Sequence, residues 1–184
     1  MKKVLIIALI LIMIPAALCA KNFSFGIGAA ATNGYTINSI INQESIDFTS
    51  FRYGLYTNLK LTLLSLNATL FPTFISGEPT TIFGDISANF AIDVSVLRLQ
   101  AGLSVFYHGL TDLKNQFKFE FEGGEILEAP LSLRAEIDLI FGELNIGAWG
   151  VLPTQATLKT LDKIVEIKDF WKDTILGLSL GFCF

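Results

Sequence analysis

The stretch from Thr174 to Phe184 (TILGLSLGFCF) constrains the fold more than any other part of the chain. Large apolar residues alternate in it with small ones, and the apolar set is Leu176, Leu178, Leu180, Phe182 and Phe184. Because the side chains of a β-strand point alternately to its two faces, this pattern predicts a strand with one apolar face and one face of small residues. Such a strand is typical of a barrel that meets lipid outside and encloses a crowded interior.

The same alternation returns seven more times after residue 20, which predicts eight strands in all. The additional strands are predicted over 23–30, 53–63, 66–71, 82–93, 97–108, 131–139 and 144–152. Within these strands no charged residue falls on the apolar face. A lysine or arginine on a lipid-facing surface at mid-bilayer costs about 2–4 kcal/mol, so this absence favours a membrane-facing surface.

The connections between the predicted strands alternate between short and long. Tight turns are expected around 64–65, 94–96 and 141–143, and long connections over 32–50, 73–81, 109–130 and 153–173. Short turns at one end and long loops at the other are typical of an outer-membrane barrel. The predicted fold is therefore all-β, an eight-stranded antiparallel up-and-down transmembrane barrel, with a ten-stranded barrel as the alternative.

The last strand also resembles the carboxy-terminal signature of bacterial outer-membrane β-barrel proteins, and the whole layout is similar to the small, eight-stranded members of that class. The resemblance implies that Leu176, Leu178, Leu180, Phe182 and Phe184 form an assembly signal. It also implies an outer-membrane location, with outer-membrane lipid and the barrel-assembly machinery as partners.

The first 20 residues (MKKVLIIALILIMIPAALCA) join a basic start, an apolar core and a run of small residues. This order predicts a secretory signal peptide that is cleaved after Ala20, so that residues 21–184 form the barrel. Lipidation at Cys19 and an uncleaved anchor are the alternatives. Past residue 20, no run reaches the ~20 apolar residues that a spanning helix needs.

The composition argues against several classes of partner. The 184 residues carry a net charge of −4, and the basic residues are scattered, so no nucleic acid partner is expected. The two cysteines, Cys19 and Cys183, lack the spacing of a metal site or a disulfide. We expect no metal and no cofactor.

The small residues lie on the polar face of the predicted strands, for example Gly102 and Gly147. Because closing a small barrel crowds its interior, this polar face is predicted to point inward and the apolar face outward. The alternative is a soluble periplasmic barrel that binds a lipid in an apolar interior.

Charged residues on the inward face are predicted to form an ion-pair network in the lumen. Asp93 and Arg98 flank one tight turn, and Asp138 on the neighbouring strand should reach Arg98 as well. Charges that leave bulk water must be paired, so the network is either a structural plug or the gate of a narrow pore. Its predicted members are Lys60, Asp85, Asp93, Arg98, Arg134, Glu136 and Asp138.

The sequence offers little for catalysis. His108 has Ser104 on its face and Asp112 nearby, but no nucleophile turn or oxyanion hole accompanies them. We therefore expect no catalytic residue and interpret His108 as a polar residue at the barrel rim. A lipid-active enzyme remains a less favoured alternative.

Two of the long connections contain patterns of their own. Phe117–Glu122 (FKFEFE) and Glu125–Glu128 flank Gly123-Gly124, which predicts a hairpin. It either extends the neighbouring strands or offers residues 117–128 as an edge to an extracellular protein partner. Residues 154–173 fit a short amphipathic helix or a strand.

An eight-stranded barrel is filled by its own side chains. We therefore expect function to lie in the extracellular loops, as surface structure, adhesion or partner binding. A narrow gated channel is the alternative.

Overall fold

The computed structural model describes residues 23–36, 51–73, 80–112, 116–121, 124–161 and 174–184. The predicted signal peptide, residues 1–20, lies outside these ranges. Within them, no helix is long and apolar enough to cross a membrane. The strands are β1 Phe23–Thr36, β2 Arg52–Leu61, β3 Leu64–Thr73, β4 Thr80–Val94, β5 Leu97–Asp112, β6 Gln116–Phe121, β7 Leu131–Phe141, β8 Leu144–Pro153 and β9 Ile175–Cys183.

Eight of these strands close into an antiparallel barrel. The hydrogen-bonded order runs β4-β3-β2-β1-β9-β8-β7-β5, and β4 also pairs with β5, which completes the ring. The strands follow one another around the ring in chain order once β6 is set aside. The predicted eight-stranded up-and-down barrel is therefore confirmed, and the ten-stranded alternative is wrong.

The ninth strand, β6, lies outside the ring. It pairs with the last part of β5, from Tyr107 opposite Phe121 to Asp112 opposite Gln116. The predicted return strand at 125–128 is wrong, because these residues form a turn in which the Ala129 N–H donates to the Glu125 carbonyl at 3.0 Å. β6 can pair with β5 because the pairing of β5 with β7 stops at Val105, and the rest of that edge of β5 is left for β6.

Three tight turns connect strands at one end of the barrel. They are Thr62-Leu63, Ser95-Val96 and Gly142-Glu143. The first residue of each turn has a positive φ, of 55°, 59° and 65° respectively. The first turn lies two residues before the predicted 64–65. The prediction missed it because the apolar run continues through the turn, so the sequence does not show where β2 ends.

The first and last barrel strands meet along a seam, β1 with β9, in which Gly28 lies opposite Gly181. A Cβ added to Gly28 would overlap backbone atoms of Leu180 and Gly181, so only glycine allows the strands to approach this closely. At the end of the seam, the Phe184 N–H donates to the Phe25 carbonyl at 2.8 Å and the Phe25 N–H donates back at 3.1 Å.

The outer face of the barrel is apolar and exposed. Ile137 is 53% exposed and Leu180 55%, and no described residue that faces outward between the two rims is charged. Outward-facing Ala101, Ala135 and Gly150 lie side by side on β5, β7 and β8 and form the floor of a groove of about 580 Å³. The predicted assembly residues Leu178, Leu180, Phe182 and Phe184 are exposed on the same face, and Leu176 is half-buried.

Two predicted outward positions, Leu131 and Tyr107, are buried instead. Leu131 at the start of β7 is 2% exposed, because residues 154–156 fold back over it. Its N–H donates to the Ala156 carbonyl at 2.7 Å, and its carbonyl accepts from Thr154. From Thr154 to Thr160 this connection contains turns and no helix, and most of the predicted helix or strand lies outside the described residues.

Candidate functional site: the filled lumen

The lumen has two chemically different halves. Toward the tight turns it is filled by charged and amide side chains, and toward the long loops by aromatic and aliphatic ones. The division follows the inward positions of the strands, since Lys60 and Arg98 lie near the turn ends of β2 and β5, whereas Tyr56 and Phe106 lie farther toward the loops. All seven charged residues predicted to face the lumen lie inside the barrel, and six of them are at most 2% exposed.

The first cluster of charges lies nearest the turns. Asp93 accepts from Arg98 Nε at 2.7 Å and from Lys60 Nζ at 3.0 Å. Arg98 also donates through Nη2 to Ser24 at 3.1 Å and through Nη1 to Asn58 at 3.2 Å. The guanidinium of Arg98, which comes from β5, therefore joins β1, β2 and β4 across the lumen.

Asp138 takes no part in this cluster. It lies directly opposite Arg98 in the strand register, yet its Oδ2 accepts from Gln100 Nε2 at 2.6 Å. The expected bond between Arg98 and Asp138 is absent because the guanidinium turns toward Asp93 and the far wall.

The second cluster lies one level farther from the turns and is centred on Arg134. Its Nη1 donates to Asp85 at 2.7 Å and its Nη2 to Glu136 Oε2 at 3.0 Å. The same Oε2 accepts from Asn67 at 2.7 Å, and Thr69 bonds Asp85. Arg134 and both carboxylates are almost completely buried, so the pairing offsets a desolvation cost that would otherwise be several kcal/mol for each ion.

An aromatic cluster fills the loop-side half above Arg134. The guanidinium lies 4.6 Å from the ring centre of Trp149, within the range of a cation–π contact. Phe83 stacks on Phe106 at 5.3 Å between ring centres. The buried members of the cluster are Ala30, Tyr56, Phe71, Phe106, Trp149 and Val151. The alternation in the sequence puts Tyr56, Phe106 and Trp149 on the face that was predicted to point inward, but it does not show that they pack with Phe71 and Phe83 into one layer.

In the described part of the chain, His108 is not part of a catalytic arrangement. His108 is exposed and stacks on Phe83, while the Oγ of buried Ser104 has no hydrogen-bond partner in the described part of the chain and so does not bond His108. Cys183 is buried as a thiol. Among the residues that the structure describes, no three His, Cys, Asp or Glu side chains lie close enough together to hold a metal ion.

The strand closure and the lumen together define a closed eight-stranded antiparallel β-barrel with an apolar exterior and an interior filled by polar and aromatic side chains. No protein-family model matches the chain, and a search of curated proteins gave no match. The solved structures that it resembles include three bacterial barrels of similar size.

The N-terminal β-barrel domain of Pseudomonas aeruginosa OprF matches at 11% identity with a TM-score of 0.47, over 89% of this chain and 98% of that one. Neisserial surface protein A (NspA) matches at 12% and 0.40, over 89% and 96%. Ail, the attachment invasion locus protein of Yersinia pestis, solved with the heparin analogue sucrose octasulfate, matches at 12% and 0.39, over 88% and 97%. At this level the likeness concerns the course of the chain and not what it binds.

Proposed function

We propose that the protein is an outer-membrane β-barrel that does not conduct and acts through the surface at its long-loop end. The observation that carries the proposal is the pairing of an exposed, charge-free apolar outer face with a lumen filled by its own side chains. Membrane lipid surrounds the outer face, and the barrel-assembly machinery recognises the last strand.

The outer face supports the membrane part of the proposal. Ten residues of strand at ~3.3 Å each, tilted by ~40°, rise about 25 Å, which matches the apolar band of an outer-membrane barrel. A soluble barrel that binds lipid inside would need an apolar lumen and a polar surface, the reverse of what is found here. In water, so much exposed apolar surface would lead to aggregation.

The filling of the lumen supports the absence of a pore. Water would have to pass the aromatic layer around Trp149 and then both charge clusters. In these clusters Arg134 joins β7 to β4, and Arg98 joins β5 to β1, β2 and β4. Opening such a path would break several buried ion pairs at once, and breaking one can cost about 3–5 kcal/mol.

The long-loop end of the barrel supports the third part of the proposal, that the protein acts through this surface. Beyond the ring, β4, β5 and β6 continue as a three-stranded sheet, from Thr80 opposite Thr111 to Thr111 opposite Phe117. Near the long-loop end, exposed Glu128 accepts from Lys159 Nζ at 2.6 Å, and this ammonium lowers the pKa of the Glu128 carboxyl. We propose the 117–128 segment as the place where an extracellular protein partner docks.

Replacing Ile137 with arginine tests the membrane. The side chain lies outward near the middle of β7, so in a bilayer the substitution is expected to destabilise the fold by about 2–4 kcal/mol. The measurement is urea unfolding of the refolded protein in lipid vesicles. The matched control is Leu127→Arg, at a position that is 48% exposed and lies outside the barrel strands, where the change should be within about 0.5 kcal/mol. Equal, small effects at both positions would contradict a lipid-facing surface.

Planar-bilayer recordings test the closed lumen. The purified, refolded protein is expected to give no steady conductance. In a separate test, the 117–128 segment is replaced by a tight turn. Cells that express this variant are expected to keep the folded barrel and to lose the binding of the extracellular partner. Large, steady conductance would reject the proposal, and flickering conductance that disappears in Arg98→Ala would favour the gated channel.

A further inference from the structure

We propose, beyond the function above, that Glu136 and Asp138 share one proton inside the folded barrel, and that this proton makes the stability of the barrel depend on pH. Both side chains lie in the polar half of the lumen. Loss of the proton leaves two like charges side by side in a buried place. The pair is therefore a pH-sensitive lock, and the barrel weakens as the pH rises.

The contact between the two carboxyl groups is the first observation. Glu136 and Asp138 lie two residues apart on the inward face of β7, and they are 2% and 0% exposed. A Cβ on Gly147, which has none, would lie 2.5 Å from Asp138 Oδ1 and 3.4 Å from Glu136 Oε1, so both groups pack against the same glycine. The two groups are hydrogen-bonded to each other. An ionised carboxylate only accepts hydrogen bonds, so a bond between two carboxyl groups requires a proton on one of them.

The charge balance of the lumen is the second observation. Three cations face four carboxyl groups there, so the seven described side chains carry one net negative charge when all are ionised. A net charge that is buried without a partner is costly, and one added proton makes the set neutral. The members are Lys60, Arg98 and Arg134 against Asp85, Asp93, Glu136 and Asp138.

The hydrogen bonds indicate that the proton belongs on Asp138. The other three carboxyl groups of the described lumen each accept from an arginine. Asp138 Oδ2 accepts from the neutral amide of Gln100, and Asp138 forms no ion pair within the described ranges. Glu136 is held by Arg134 and hydrogen-bonded to the Tyr56 hydroxyl. We therefore place the proton on Asp138, which donates it to Glu136.

The other ionisable groups around the pair decide where the proton can be observed. Aspartate and glutamate are ordinarily ionised above about pH 5, and tyrosine, cysteine, lysine and arginine ordinarily titrate above about pH 8. A window between about pH 5.5 and 7.5 therefore isolates the shared proton. The titratable or charged side chains that share the polar half with the pair are Arg134 on β7, Tyr56 and Lys60 on β2, Asp85 and Asp93 on β4, Arg98 on β5 and Cys183 on β9.

Counting protons gives the direction of the effect. In the unfolded chain both carboxyl groups are ionised in this window, because the ordinary pKa of aspartate and glutamate is about 4. The folded protein then binds one proton more than the unfolded protein, so stability falls as the pH rises. The unfolding equilibrium constant is expected to grow by up to about tenfold for each pH unit, and to level off once the folded pair has ionised too.

Urea unfolding of the protein refolded into detergent micelles tests the proposal across this window. Wild type is expected to show the rise of up to about tenfold per pH unit. The pH dependence should disappear in Asp138→Asn, whose amide donates to Glu136 and accepts from Gln100 as the protonated acid does. The matched control is His108→Gln, which removes the only histidine and should keep the wild-type slope, because histidine side chains titrate in the same range.

Infrared spectroscopy detects the proton directly. At the acid end of the window, folded wild type is expected to show the carbonyl band of one protonated carboxyl group, and Asp138→Asn to lack it. Heat-modifiable gel migration verifies that each protein has folded. Folded wild type without this band overturns the proposal, even if Asp138→Asn fails to fold. A slope that persists in folded Asp138→Asn, or that disappears in His108→Gln, overturns it as well.

Discussion

Replacing Arg134 with methionine is expected to lower the free energy of unfolding by about 3–5 kcal/mol, because it leaves Asp85 and Glu136 buried without their counter-charge. Methionine keeps most of the side-chain volume, so the loss reports on charge and not on a cavity. Urea unfolding of the refolded protein measures it. Trp149, whose ring packs against the guanidinium, provides a fluorescence signal from this part of the lumen.

The control for this prediction is the exposed pair between Lys159 and Glu128. Lys159→Met should change the free energy of unfolding by at most about 1 kcal/mol, since water already solvates both charges. Combining Arg134→Met with Glu136→Gln should recover part of the loss by removing one of the stranded charges. An unchanged midpoint in Arg134→Met would mean that water hydrates this cluster and that the lumen is more open than described.

Replacing Gly28 with alanine is expected to prevent the barrel from closing, with a cost of about 3 kcal/mol or more. The added Cβ would overlap backbone of Leu180 and Gly181, which cannot move aside as a flexible side chain would. The measurement is the fraction of protein that shows heat-modifiable migration after refolding.

Gly26→Ala is the matched control on the same strand and the same face. There the added Cβ would meet Asn58 and the Phe182 carbonyl at 3.5 Å, an ordinary contact, so the barrel should form normally. If Gly28→Ala closes as well as Gly26→Ala does, the two strands are not as close along the seam as the structure has them.

The fold could be predicted from the sequence because a period of two is easily recognised when one face must be free of charge. The ends of the elements were harder. Leu63 and Leu64 continue the apolar run through the first turn, so nothing marked it. The pairing of β6 depends on how far β5 extends beyond its pairing with β7, and this length is set by the register of the whole ring.

The lumen was predicted as a set of inward residues but not as a set of bonds. Strand neighbours can be derived from register, which is why Asp138 was assigned to Arg98. Asp93 and Arg98, which are neighbours in the register, do form an ion pair. Other bonds cross the lumen, as between Lys60 on β2 and Asp93 on β4, or Arg98 on β5 and Ser24 on β1. Long side chains span so narrow a barrel, and their choice of partner depends on three-dimensional distance that a sequence does not show.

The seam has a consequence for the route by which the molecule forms. Gly26 pairs with Cys183, so the ring is completed by a contact between residues almost at opposite ends of the described chain. Contacts of such sequence separation form late and slow folding, because the entropy of ordering the intervening chain is lost before they contribute. Until then β1 and β9 each present an unsatisfied edge to any other strand nearby. The chain therefore depends on protection from aggregation until β1 has paired with β9.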